Sequence, residues 1–254
     1  MKKQIIDLTG KKIVIAGASS GMGAETAVLC SELGAQVIAI ARREDKLNEV
    51  IGKLSGSNHR YFVFDLNEIE KIEGFVKTLI DEVGPLDGLV YCAGIPGTRP
   101  FRMLKPAALS EVMNINFNAF VETVRCVTKK NAFSAGMSIV GISSISSTIG
   151  SLGKTSYCAS KAAMDAAVRC MAKELAPNGI RVNTVCPGII ETALFQQFKN
   201  NAGDSQDAQI KIQRQYLGLG KPSDVANTIV FLLSDAARLI TGSNIGVDGG
   251  MLSS

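Results

Sequence analysis

Short apolar runs recur along this chain at 12–16, 36–41, 61–64, 86–91, 137–142, 181–186 and 244–247. Each reads as a β-strand. Between them lie longer stretches with apolar residues at helical spacing, at 24–33, about 106–130, 157–176 and 223–233. Strand and helix alternate throughout, which predicts an α/β fold with one doubly wound parallel sheet of about seven strands and helices on both faces. No internal repeat, low-complexity tract or linker divides residues 1–254, so one domain is expected.

The turn after the first strand carries the first chemistry. Gly17-Ala18-Ser19-Ser20-Gly21-Met22-Gly23 joins that strand to a helix that Gly34 would terminate. A glycine turn between strand and helix lets backbone approach a pyrophosphate, and the helix N-terminus offers free N–H groups. The spacing is GxxxGxG. The second strand ends at Ala41 and is followed by Arg42-Arg43. A NAD site often has a carboxylate there, for the ribose hydroxyls. Two cations suit the 2′-phosphate of NADP instead, or they are simply solvated. Asp65 ends the third strand, where it could meet an adenine ring or cap the next helix. Gly94 would let the backbone after the fourth strand pass close to the cofactor. Asn114, Asn116 and Asn118 interrupt the pattern at 106–130. Asn is a poor interior helix residue, so a special local geometry is expected.

The second chemistry is the pair Tyr157 and Lys161, four residues apart and so on one helix face. A phenol titrates at roughly 10, and a cation held close lowers that value. A Tyr tuned toward neutrality could give a proton to a carbonyl or take one from an alcohol. Ser143-Ser144 stands at the carboxyl end of the fifth strand, where ligands bind in such sheets, although serines there also form turns. A Gly/Ser-rich loop at 146–154 leads to Tyr157. Residues 191–218 read as a substrate lid with a polar middle.

Composition narrows the classes. Net charge is +4 without basic blocks interleaved with aromatics, so no nucleic-acid partner is expected. The hydrophobic fraction is 46%, yet no apolar run is long enough to span a membrane. The residues before the first strand are too short and polar for a signal peptide. Six Cys stand singly in apolar patterns, as in a reduced, cytoplasmic protein. His59 is the sole histidine, which leaves His-based triads and zinc sites poorly supported, and no metal site is expected.

Taken in order, these motifs resemble the short-chain dehydrogenase/reductase family in its compact branch, over nearly the whole chain. TGxxxGxG matches Ala16 to Gly23 with Ala for Thr. NNAG is replaced by Tyr91-Cys92-Ala93-Gly94. The family Asn matches Asn116, the Ser matches Ser144, and YxxxK matches Tyr157 and Lys161. Pro187-Gly188 and Thr192 match the family's PG turn and following Thr. The resemblance implies an oxidoreductase interconverting a ketone and a secondary alcohol, with Asn116, Ser144, Tyr157 and Lys161 catalytic. It implies NADP(H), or else NAD(H), held by Gly17, Ser19, Ser20, Gly21, Met22, Gly23, Arg42, Arg43, Asp65, Leu66, Ala93, Gly94, Tyr157, Lys161, Pro187, Gly188, Ile190 and Thr192. Within the family the C-terminal half is most similar to 3-oxoacyl-[acyl-carrier-protein] reductases and similar reductases of ketones or sterols. An acidic carrier protein would then be a partner, with Lys129-Lys130 and Lys173 candidates to meet it. The stretch 97–103 and Leu219 depart from those enzymes, and a steroid, sugar or other small alcohol is the alternative substrate. A non-catalytic NADP sensor is the alternative of another class. Family members imply a tetramer or dimer, packed through the helices at 106–130 and 157–176. Ile95, Pro96, Ile145, Leu194, Phe195 and Tyr216 suggest a partly apolar substrate pocket.

Overall fold

The seven apolar runs become β1 (Lys12–Ala16), β2 (Gln36–Ala41), β3 (Arg60–Val63), β4 (Leu86–Tyr91), β5 (Phe133–Ile142), β6 (Arg181–Pro187) and β7 (Asn244–Val247). They make one sheet in the order β3-β2-β1-β4-β5-β6-β7, with every pairing parallel. The computed structural model describes residues 5–192, 195 and 213–253. Parallel neighbours need crossovers, and helices supply them. These are α1 (Gly21–Glu32), α2 (Glu44–Ile51), α3 (Ile72–Val83), α4 (Pro106–Met113), α5 (Ala119–Val127), α6 (Thr155–Leu175) and α7 (Pro222–Leu233).

Helices on both faces explain why β1 and β2 are buried at nearly every position instead of alternating. One face packs Leu79 of α3, Phe120 and Val124 of α5 and Met164 and Val168 of α6 against Val14, Ile38 and Leu89. The other packs Ala27 and Cys30 of α1, Leu47 of α2 and Val225 and Ile229 of α7 against Ile13, Val37 and Val140. Each fully buried Val, Leu or Ile contributes about 1.5–3 kcal/mol of transfer free energy.

β5 reaches back beyond its apolar run. Its first four positions are half-buried or exposed, so the hydrophobic signal begins only at Met137. The long helical pattern at 106–130 is broken at Asn114–Asn118, which forms a π turn between α4 and α5. The wider turn has local support. Asn118 Nδ2 donates to Asn114 Oδ1 at 2.9 Å, and the buried Tyr91 hydroxyl donates to the Ile115 carbonyl at 2.8 Å. The lid expected at 191–218 falls mainly on 193, 194 and 196–212, which lie outside the described residues, as does Leu194. Among the described residues, no helix is long and apolar enough to cross a membrane. The strand order reverses between β1 and β4, and a crevice opens beyond their carboxyl ends.

Candidate active site

A cleft of about 400 Å³ occupies that crevice. The turn after β1 contributes Gly17, Ser19, Ser20, Gly21, Met22 and Gly23. The end of β2 contributes Ala41, Arg42 and Arg43. Phe64, Asp65, Leu66 and Asn67 come from beyond β3, Cys92, Ala93, Gly94 and Ile95 from beyond β4. Glu111, Ile115 and Thr192 complete the lining. The glycines are sterically required. Gly17 has φ +87, and a Cβ there would stand 2.7 Å from the Ala93 nitrogen. A Cβ on Gly23 would stand 2.3 Å from the Gly17 carbonyl oxygen. Ser20 precedes α1 without capping it by its side chain, so the helix keeps its first-turn N–H groups for an anion.

The two arginines behave differently. Arg43 Nη2 donates to Ser19 Oγ at 3.0 Å and Ser20 Oγ at 3.2 Å, which carries its charge across the glycine turn. Arg42 reaches Asp65 at 3.7 Å from an exposed position. Asp65 also accepts from the Asn67 N–H at 3.0 Å, so it both caps the following turn and lines the cleft. Glycine backbone, helix N–H groups, serine hydroxyls and guanidinium form a donor set suited to a phosphorylated dinucleotide.

Next to this cleft lie the side chains expected to be catalytic. Tyr157 is half-buried on the first turn of α6, and the Ser144 hydroxyl is near enough to its phenol to favour the charged form. Lys161 lies one turn on, 4% exposed. Its Nζ stands 5.7 Å from the Tyr157 ring centroid and donates to the Ile142 carbonyl at 2.6 Å. Asn116 is fully buried. Its Oδ1 accepts from the Ile95 N–H at 2.8 Å, and its Nδ2 donates to the Ile95 carbonyl and to Ser160 Oγ, both at 3.0 Å. Gly94 joins the two halves. A Cβ there would lie 3.0 Å from Asn116 Oδ1 and 3.6 Å from Lys161 Nζ.

The electrostatics correct one expectation. Burial pushes the Tyr157 phenol above its ordinary range, and the Ser144 hydrogen bond only partly pulls it back. The lysine is not among the groups that pull it down, and its ammonium donates to the Ile142 carbonyl. Burial instead pulls Lys161 down to about 8, against the opposing influence of Cys92, Asp165 and Cys186. The Cys92 thiol, at the family's Asn position, is pushed up to about 12 by burial, with Lys161 acting the other way. It stays neutral, while its backbone N–H bonds the Ala16 carbonyl at 2.8 Å.

Some expected residues stand apart from the cleft lining. Pro187 ends β6 paired with Val247, and Gly188 donates to the Val247 carbonyl at 3.0 Å. Ile190 is buried in the core on the α7 side and bridges to Gly220. Thr192 does reach the cleft, and its hydroxyl accepts from the Phe195 N–H at 3.3 Å. Gln215, which the sequence did not single out, clamps this loop. Its amide bonds the Ile189 N–H at 2.9 Å, the Ile189 carbonyl at 3.2 Å and the Gly218 carbonyl at 2.6 Å. Also unforeseen is Lys154, whose Nζ lies 5.1 Å from the Tyr157 ring centroid. Of the suggested pocket residues, Ile145 is buried and Tyr216 is exposed. Lys129 is already paired with Glu73, which also takes Arg125 at 2.6 Å.

A short-chain alcohol dehydrogenase family model described as enoyl-(acyl carrier protein) reductase matches residues 17–252. The chain is 33% identical over 247 residues to 3-oxoacyl-[acyl-carrier-protein] reductase FabG of Thermotoga maritima, covering 96% of this chain and 99% of that one. It is 32% identical over 250 residues to L-xylulose reductase of Mus musculus, covering 97% and 98%. A crystal structure of an actinorhodin polyketide ketoreductase variant with NADPH superposes with a TM-score of 0.88 at 27% identity, covering 95% and 97% of the two chains.

Proposed function

This chain belongs to the short-chain dehydrogenase/reductase family of oxidoreductases, and from that premise we propose that it is an NADP(H)-dependent enzyme reducing a ketone to a secondary alcohol. The observation that carries the reading is Tyr157 with Ser144 near its phenol and Lys161 one turn away, beside a cleft built from phosphate-binding elements.

The turn Gly17 to Gly23 would hold the pyrophosphate, and Arg43, fixed by Ser19 and Ser20, would meet a 2′-phosphate. Arg42, Asp65 and Leu66 would flank the adenosine, while Ala93, Gly94 and Thr192 would border the nicotinamide half. NADPH, when bound, supplies the hydride. Ser144 donates to the substrate carbonyl oxygen and stabilises charge developing there. Tyr157 gives that oxygen its proton. Burial raises the phenol above its ordinary range, so it reaches the substrate as the proton donor. Lys161, one helical turn on, would hold the ribose of the nicotinamide half. Asn116 fixes the Ile95 backbone and thereby the floor beside Gly94.

The similarity to FabG supports a 3-oxoacyl thioester substrate, and the similarity to L-xylulose reductase supports a sugar ketone. A carrier protein would dock on Lys130 and Lys173, both exposed. The six free cysteines suit a reduced cytoplasmic enzyme. Assembly as a dimer or tetramer is part of the proposal.

The test is NADPH consumption over a panel of ketones, sugars and acyl thioesters, for the native chain and for Tyr157→Phe. Turnover should fall about 10²- to 10⁴-fold in the variant while NADPH still binds. Retained turnover would remove Tyr157 from the acid's role, and a strong preference for NADH would remove Arg43 from the 2′-phosphate.

A further inference from the structure

Tyr157, Lys161 and Asp165 follow one another at intervals of four along α6, each one turn beyond the last. The mechanism above uses the first two. Asp165 is 4% exposed, as Lys161 is. A buried carboxylate costs much unless its charge is offset. Its hydrogen-bond donors are neutral. Thr184 on β6 donates its hydroxyl to Asp165 Oδ1 at 2.9 Å, and the Cys186 thiol faces Oδ2 at 3.9 Å. A second acceptor, Asn244 Oδ1 on β7, lies 2.9 Å from the Thr184 oxygen. Turning that amide over makes it a donor, which leaves the one Thr184 proton to the carboxylate.

Lys161 has the complementary need. Its ammonium donates to the Ile142 carbonyl on β5 at 2.6 Å, and that acceptor is neutral too. Acidic groups face it from three elements: Cys92 beyond β4, Asp165 on α6 and Cys186 on β6, with the Tyr157 phenol one turn back. Burial pushes the Cys92 thiol up to about 12 and raises the phenol. Burial, then the Asp165 carboxylate, raises the Cys186 thiol. These three meet Lys161 as neutral groups, so the negative charge in the cluster is that of Asp165. Among the described residues Asp165 and Lys161 form no direct ion pair. The attraction acts through space, where the low dielectric of the interior strengthens it.

We propose that Asp165 is a positioning residue of this site: its carboxylate is the counter-charge that lets Lys161 remain an ammonium in a dry interior, bonded to the Ile142 carbonyl and able to offer its charge to the nicotinamide ribose. The consequence for turnover rests on the reductase reading, whereas the pairing of the two side chains does not. Asp165 acts only through Lys161.

The experiment titrates the Lys161 13Cε resonance, assigned by its absence from Lys161→Arg, in the native chain, Asp165→Asn and Thr184→Val. Over the same pH range kcat/KM for NADPH is measured with the ketone that turns over fastest. The native step lies at about 8. In Asp165→Asn it should fall by about one pH unit, the size of effect a neighbouring opposite charge has, and the break in kcat/KM should fall with it. Thr184→Val removes the hydrogen bond and keeps the charge, so it should lose stability to urea while the step stays near its native pH. A step unmoved in Asp165→Asn, or moved equally far in Thr184→Val, overturns the counter-charge. If Asp165→Asn does not fold, the native chain decides: the Lys161 resonance should show a second, smaller step where the Asp165 13Cγ titrates, and its absence overturns the pairing. A resonance that moves while the kcat/KM break stays put removes Asp165 from the reaction. Absence of NADPH consumption on every ketone overturns the reductase reading, and the resonance still decides the pairing.

Discussion

At the scale of single residues, Lys161 sets the most direct consequence. Its pKa in the folded chain is about 8, against 10.5 for the ordinary side chain, because a buried ammonium lacks its hydration. The charged form is therefore present below pH about 8 and lost above it. Tyr157 shifts the opposite way, upward, so it remains a phenol over the same interval. Only one of the two groups changes charge between neutrality and mild alkali. With respect to NADPH, kcat/KM reports ionisations of the free enzyme. It should fall as pH rises through about 8, with a single break. A plateau carried well past pH 9 would mean that Lys161 keeps its proton. The same shift acts on stability. The unfolded chain holds this proton up to its higher pKa, so between about 8 and 10.5 the contribution of Lys161 to stability rises with pH.

At the scale of elements, the glycine turn and the π turn do comparable work. Each replaces a regular backbone path with one that brings a specific group into the cleft. Gly17 lets the turn after β1 press on Ala93, and no side chain fits there. Gly17→Ala should cost about 1–3 kcal/mol by overpacking, in addition to the strain of its left-handed backbone. Urea unfolding measures it, and NADPH affinity should fall in parallel because the same turn shapes the proposed pyrophosphate seat. A variant with native stability would show that the turn relaxes away from Ala93. The glycine turn was legible from residue identity and from its place between a strand and a helix. The three asparagines marked where helix 106–130 would deviate. They could not say that the deviation is a π turn, because its carbonyl at Ile115 is satisfied by Tyr91, on a different element.

At the scale of the whole molecule, α6 presents Ala159, Ala162 and Ala166 on an exposed face, small residues at spacings that let a second helix approach closely. Sedimentation should show a dimer or tetramer, and Ala162→Arg should dissociate it. A native chain that sediments as a monomer would end that part of the proposal. The strands of the sheet and the helices that cover it follow from patterns local to the chain: apolar runs, helical periodicity and glycine position. So does the pairing of Tyr157 with Lys161, since four residues along a helix is a fixed geometry. Tertiary structure decided what such periodicity cannot carry. It turned the Tyr157 pKa upward, because desolvation depends on what packs over the ring. It gave Lys161 a carbonyl on β5 as its partner, and tied the Arg99 backbone to Gly153 ahead of α6. Those outcomes depend on burial and on contacts between segments distant in sequence, and folding the chain is what creates both.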